Sequence, residues 1–82
     1  MTPTYSEMLS TLGYDALNII FGINTKPFKE REKKDLIRLL TISEKDEIIK
    51  ARIQKVLELN HSDTMKKEML LSLLKDEHKG NN

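Results

Sequence analysis

Three groups of side chains in this chain have the types and spacing to do chemistry. His61, Ser62 and Asp63 are consecutive, and they are the residue types of a base, a nucleophile and an orienting acid. Glu44 and Glu47 lie three apart, a spacing at which two carboxylates share one helix face and could divide acid and base roles. Residues 26–38 carry six basic and three acidic side chains, which could touch phosphates. Each group also has a simpler use. Neighbouring side chains diverge, so 61–63 lacks the geometry of a triad, which needs a strained nucleophile turn and a scaffold. Ser and Asp between helices serve as caps. Carboxylates in an exposed first turn suit the positive end of the helix dipole, whereas acid–base catalysis needs environments that push the two pKa values apart. Interleaved acids and bases describe a solvated face with internal ion pairs, and nucleic-acid footprints are more one-signed.

Cysteine is absent and the only histidines are His61 and His78. Thiol chemistry is excluded, and a structural zinc site has neither thiolates nor enough imidazoles. The two histidines have the ordinary pKa of a pH sensor, but neither sits on an apolar stripe, so both read as surface residues. No Gly-rich phosphate loop and no metalloprotease helix signature occurs. The expectation is a non-enzymatic protein with no catalytic residue, no cofactor and no metal.

The elements that would position these residues are all helices. Thr4 and Glu7 have capping-box spacing. Tyr5, Met8, Leu9, Leu12, Ala16, Ile19, Ile20 and Ile23 then follow in steps of three and four as one stripe. Gly13 is either tolerated inside this helix or ends it, with Asp15 starting another; the in-phase stripe favours a single helix over 4–22. Gly22 is placed to adopt positive φ, Asn24 or Thr25 to cap, and Pro27 to fit the first turn of a helix over 27–41. Its charged start projects into water, with Glu30 and Lys34 four apart, and its end enters the core through Leu36, Ile37, Leu39 and Leu40. Ser43 reads as the cap of a helix over 44–59, with Glu44, Asp46 and Glu47 in its first turn and an Asp46–Lys50 pair. Asn60 is an αL terminator by type, and Ser62 or Asp63 caps a last helix over 63–78.

The fold class is therefore all-α, a bundle of about four helices in a single domain over 1–82, with a frayed tail at 79–82. At 82 residues the core is small, and without disulfides the remaining source of extra burial is association, including with a second copy. The net charge of +1 gives no global pull towards nucleic acid or an anionic membrane. No stretch approaches the ~20 apolar residues of a membrane span, and the opening residues lack the basic cluster of a secretory signal.

Residues 1–24 differ from the rest: they hold Glu7 and Asp15 but no Lys or Arg, and three of the four aromatics. Core packing accounts for most of this segment, while Leu17 and Phe21 lie off the stripe and broaden it. The surplus points to a partner-binding surface, with Tyr5, Met8, Tyr14 and Phe21 as candidate contacts. The alternative reading is a small helix-turn-helix-like transcription regulator, binding DNA or RNA polymerase through residues 36–59 with a turn at 41–43. Glu44, Asp46 and Glu47 at the start of its reading helix would oppose a polyanion, so no nucleic acid is expected. A third reading is an assembly subunit, which would form a stable higher oligomer.

Over its whole length, from MTPTYSEMLSTLGYDALNIIFGI to LLSLLKDEHKGNN, the chain resembles the RIII lysis-inhibition accessory proteins of T-even coliphages. No single motif carries this likeness. It implies a regulator in the host cytoplasm, an accessory antiholin that binds the cytoplasmic part of the phage holin and delays host cell lysis. The membrane would be met only through the holin, and no family binding residues transfer to positions here.

Overall fold

Thr4 caps the first helix as its spacing from Glu7 predicts: its hydroxyl accepts from the Glu7 amide at 3.1 Å. In the computed structural model, which describes residues 4–80 and side chains as far as Lys75, this helix, α1, spans only Tyr5–Leu12. Gly13 ends it with φ 62 and ψ −138, a backbone conformation that residues with a Cβ avoid. A second helix, α2 (Asp15–Phe21), follows at once. The single helix expected over 4–22 is thus two, and the bundle has five helices rather than about four. The turn at 13–14 also rotates the apolar face. Leu17 and Phe21, off the predicted stripe, are buried, while Ile19, on it, is 61% exposed.

Gly22 closes α2 in the left-handed conformation, φ 66, as expected. Beyond it the chain does not start a helix at Pro27. Ile23, Thr25 and Phe28 turn inward and are buried, and Phe28 N–H donates to the Thr25 carbonyl at 2.9 Å. Asn18 of α2 anchors this loop: its carboxamide oxygen accepts from the Thr25 amide at 2.8 Å and also from the Thr25 hydroxyl. Asp63 accepts from the Asn24 amide at 3.0 Å. Because the loop is drawn into the core, α3 begins later than expected and covers Glu30–Ser43. Lys29 is its cap residue, and Glu32 reaches back to accept the Lys29 amide at 2.9 Å.

Ser43 is the last residue of α3 and not the cap of the next helix. It is buried, and its hydroxyl donates to the Leu40 carbonyl at 2.7 Å. Asp46 caps α4 (Glu47–Glu58) instead, accepting from the Ile48 and Ile49 amides at 3.0 and 3.2 Å. One carboxylate satisfying two orphan amides outcompetes a hydroxyl already committed elsewhere. The turn between α3 and α4 therefore lies at 44–46 rather than 41–43. No residue other than glycine has positive φ among the described residues, so Asn60 does not act as an αL terminator. Leu59 ends α4 in extended conformation, and Lys66 Nζ donates to the Leu57 carbonyl at 3.2 Å. Ser62 caps α5 (Asp63–Gly80), accepting from the Met65 amide at 3.2 Å. Of the tail expected to fray, residues 79 and 80 continue α5, and 81 and 82 lie outside the described residues.

Helix α3 is the axis of the bundle. It touches each of the other four helices, and Leu36, Leu39 and Leu40 are almost wholly buried. Phe21, Ile49, Ile53 and Leu70 pack around them from α2, α4 and α5.

The Asn18 anchor carries a measurable share of this arrangement. Replacing Asn18 with Ala leaves two donors of Thr25, a residue 1% exposed, without their acceptor. The expected loss of unfolding free energy is about 2 kcal/mol, a fall in melting temperature of roughly 10 °C for a domain of this size. Urea and thermal unfolding followed by circular dichroism measure it; a change under ~0.5 kcal/mol, the scale of an ordinary surface substitution, would show that the loop is held some other way.

Candidate functional site

The four candidate contact residues do not form one patch. Tyr5 and Phe21 come together, on a cleft of about 240 Å³ whose floor includes Leu40, Ile53 and Leu57. Tyr5 is half-buried, but Phe21 is 3% exposed. Phe21 is thus a core side chain, and its place as a surface contact is corrected: the rotation at Gly13 turns it inward. Met8 is half-buried on α1. Tyr14 lies apart from Tyr5, fastened to the start of α3. Its hydroxyl donates to Glu30 Oε1 at 3.2 Å, and Lys33 Nζ stands 5.2 Å from the ring centroid. Desolvation first, then the hydrogen bond to Glu30 and its charge, raise the phenol above its ordinary value of 10.0, so the ring stays a neutral donor.

Two apolar side chains of this region that lie on the sequence stripe are exposed: Leu12 at 42% and Ile19 at 61%. With Met8 they leave apolar surface on α1 and α2, in a segment whose charges are Glu7 and Asp15 and which has no cation. The signal that could have revealed them is Gly13. A stripe read across a glycine that stops the helix changes phase there.

The charged groups resolve into structural duties. Asp63 and Ser62 cap and tie, as above. Glu47 is 4.0 Å from Lys50, and that contact replaces the expected Asp46–Lys50 pair because Asp46 holds the two amides. Glu30 meets Tyr14 rather than Lys34. The charged start of α3 is exposed at Lys29, Glu30, Arg31 and Lys34, as expected, while Glu32 joins an interhelical pair. Lys67 Nζ of α5 is 2.8 Å from Glu32 Oε2 and 3.2 Å from Glu68, and it lies 5.1 Å from the Phe28 ring centroid. No cluster of three or more His, Asp or Glu side chains able to hold a metal occurs among the described residues.

The outer face of α4 is a broad open hollow of about 590 Å³, where Ile48, 66% exposed, sits among Glu47, Arg52, Lys55 and Glu58. Those four charges cancel. As the reading face of a helix-turn-helix it would offer DNA a mixed field and an acidic start, Asp46 at the cap and Glu47 in the first turn. No described helix is long and apolar enough to cross a membrane. Compared with protein-family models, curated proteins and solved structures, the chain matches none.

The Glu32–Lys67 pair predicts an acid dependence. Hydrogen bonding from Lys67 first, then from the Lys29 amide, holds the Glu32 carboxyl below the ordinary glutamate value of 4.5. A lowered folded-state pKa means that the stabilisation is present above the unfolded value and is lost as pH falls through the folded one. Lys67 has the opposite sign: Glu32 raises it above 10.5, so its contribution persists to that value and is lost in stronger alkali. Glu32→Gln keeps an acceptor for Lys29 but removes the charge. The wild-type urea midpoint is expected to fall as pH drops below 4.5, and the E32Q curve to be flatter there; parallel curves would mean the pair contributes nothing.

Proposed function

We propose that this chain is a protein-binding regulator, and that its partner is the cytoplasmic part of a phage holin, as its resemblance to the accessory antiholins implies. Binding would hold the holin, by mass action, in states that do not nucleate a membrane lesion, and so delay lysis from the host cytoplasm. The observation that carries the reading is the apolar surface left on α1 and α2. Leu12 and Ile19 stay in water on a domain too small to leave such residues out of its core without loss. The same segment is acidic and free of cations, which favours a partner segment with apolar residues flanked by Lys or Arg.

The experiment is a calorimetric titration of the purified chain with the cytoplasmic segment of a T-even phage holin. Saturable binding is expected. Ile19→Asp should weaken it about tenfold, since covering the exposed part of an isoleucine contributes on the order of 1–2 kcal/mol. The exposed position should leave the helical signal and the melting temperature in place. Absence of binding would overturn the partner, and binding indifferent to Ile19 would move the contact off α2.

A further inference from the structure

Helix α1 is attached to the bundle by packing alone. None of its residues is buried, and among the described residues no side-chain hydrogen bond or ion pair joins it to α3 or α4. Its anchors are Tyr5 and Leu9, which pack against the core. Tyr5 leaves a cleft on either side. One, about 240 Å³, reaches Ile53 and Leu57 of α4; the other, about 230 Å³, lies between Leu9 and the Ile37–Thr41 turn of α3. Both clefts open to solvent along the flanks of Tyr5, so α1 leaves part of the groove surface uncovered. A helix of eight residues has little stability of its own, and Gly13 behind it is a ready hinge.

Each cleft also presents one charge that α1 does not answer. Lys50 lines the first and Glu44 the second. Lys50 reaches only Glu47, at 4.0 Å, and Glu44 has no ion pair among the described residues. The one charged residue of α1 is Glu7. Ser6 lines the same cleft as Glu44, so a cation at that helical position would meet it.

We propose that α1 is a releasable strap, and that the groove beneath it takes in its place a partner's amphipathic helix. That helix would carry an aromatic and an aliphatic residue four apart, as Tyr5 and Leu9 are, and a Lys or Arg set against Glu44. This is helix-in-groove recognition with the groove's first occupant supplied in cis. The inference rests on reading the chain as a protein binder, and is independent of that partner being a holin.

The test uses the full chain and two capped peptides: residues 4–13 of this sequence, and the same peptide with Ser6→Lys. In hydrogen exchange of the wild type, the α1 amides are expected to be at least 100-fold less protected than those at the centre of α3. In the Tyr5→Ala/Leu9→Ala chain, whose strap is weakened, the Lys peptide should bind at least tenfold more tightly than it binds the wild type. The NMR shift changes should fall on Ile37, Leu40, Ile53 and Leu57. Glu44→Gln should reduce the affinity of the Lys peptide at least threefold and leave that of the Ser6 peptide alone. Equal protection of α1 and α3 overturns the strap, even if the double variant fails to fold. Equal peptide affinity for both chains overturns the groove, and indifference to Glu44→Gln overturns the charged contact. Peptide binding without holin binding supports the groove and removes only the holin.

Discussion

The carboxamide of Asn18 is the interaction on which the rest of the arrangement turns. Its oxygen takes two hydrogen bonds from Thr25, seven residues on, and so folds the chain after Gly22 back against α2. A loop in that place would ordinarily run over the surface, because buried backbone polar groups need partners. Here the partner is supplied from the preceding helix. The loop can therefore deliver Ile23, Thr25 and Phe28 to the interior, and its far side is tied by Asp63 to the start of α5. In a domain this small, three buried loop residues are a substantial part of the core. Without the anchor they would be free to leave it, and the helices α2, α3 and α5 would lose their common wedge.

A second economy operates where α3 begins. Glu32 satisfies the Lys29 amide with one carboxylate oxygen and Lys67 with the other. A single side chain thus ends the loop, starts the central helix and ties that helix to α5. Lys67 in turn lies over Phe28, so the ion pair covers one of the loop's buried aromatics. Both charges are mostly shielded, at 19% and 12% side-chain exposure, which places the pair between the weak surface ion pair and the fully buried one.

Most of the helices were legible in the sequence because their caps and apolar spacings are local. Thr4, Gly22 and Ser62 all perform the roles their types suggest. What was not legible depends on competition between neighbours or on a change of axis. Ser43 and Asp46 are both good caps, and the choice falls to Asp46 because the buried Ser43 hydroxyl is committed to the Leu40 carbonyl while Asp46 satisfies two amides. Pro27 looks like a first-turn residue, but the anchoring of Thr25 delays the helix past Phe28. The stripe from Tyr5 to Ile23 assumed one axis, and Gly13 supplies two. That one glycine accounts for the error in helix number, for Phe21 as a supposed contact, and for Ile19 as a supposed core residue. The sequence marks residues 1–24 as a cation-free segment, but not which of its apolar side chains are exposed, because which side of a short helix faces out is settled by tertiary packing.

The resulting molecule is unevenly stable by construction. Its firm part is α3 with the elements tied to it: α2 through Tyr14, α4 through the packed Ile49 and Ile53, and α5 through Lys67. Helix α1 shares none of these ties. Segments that rely on few apolar contacts open locally at free energies well below global unfolding. A partner that needs such a segment displaced binds with an affinity reduced by the fraction of molecules in which it is open. The two unfilled clefts beside Tyr5 raise that fraction, and filling either one from within would lower it. The looseness of the N-terminal helix and the receptivity of the groove are thus one quantity viewed from two sides, and any substitution that improves the packing of Tyr5 or Leu9 must weaken the binding of whatever competes for their place.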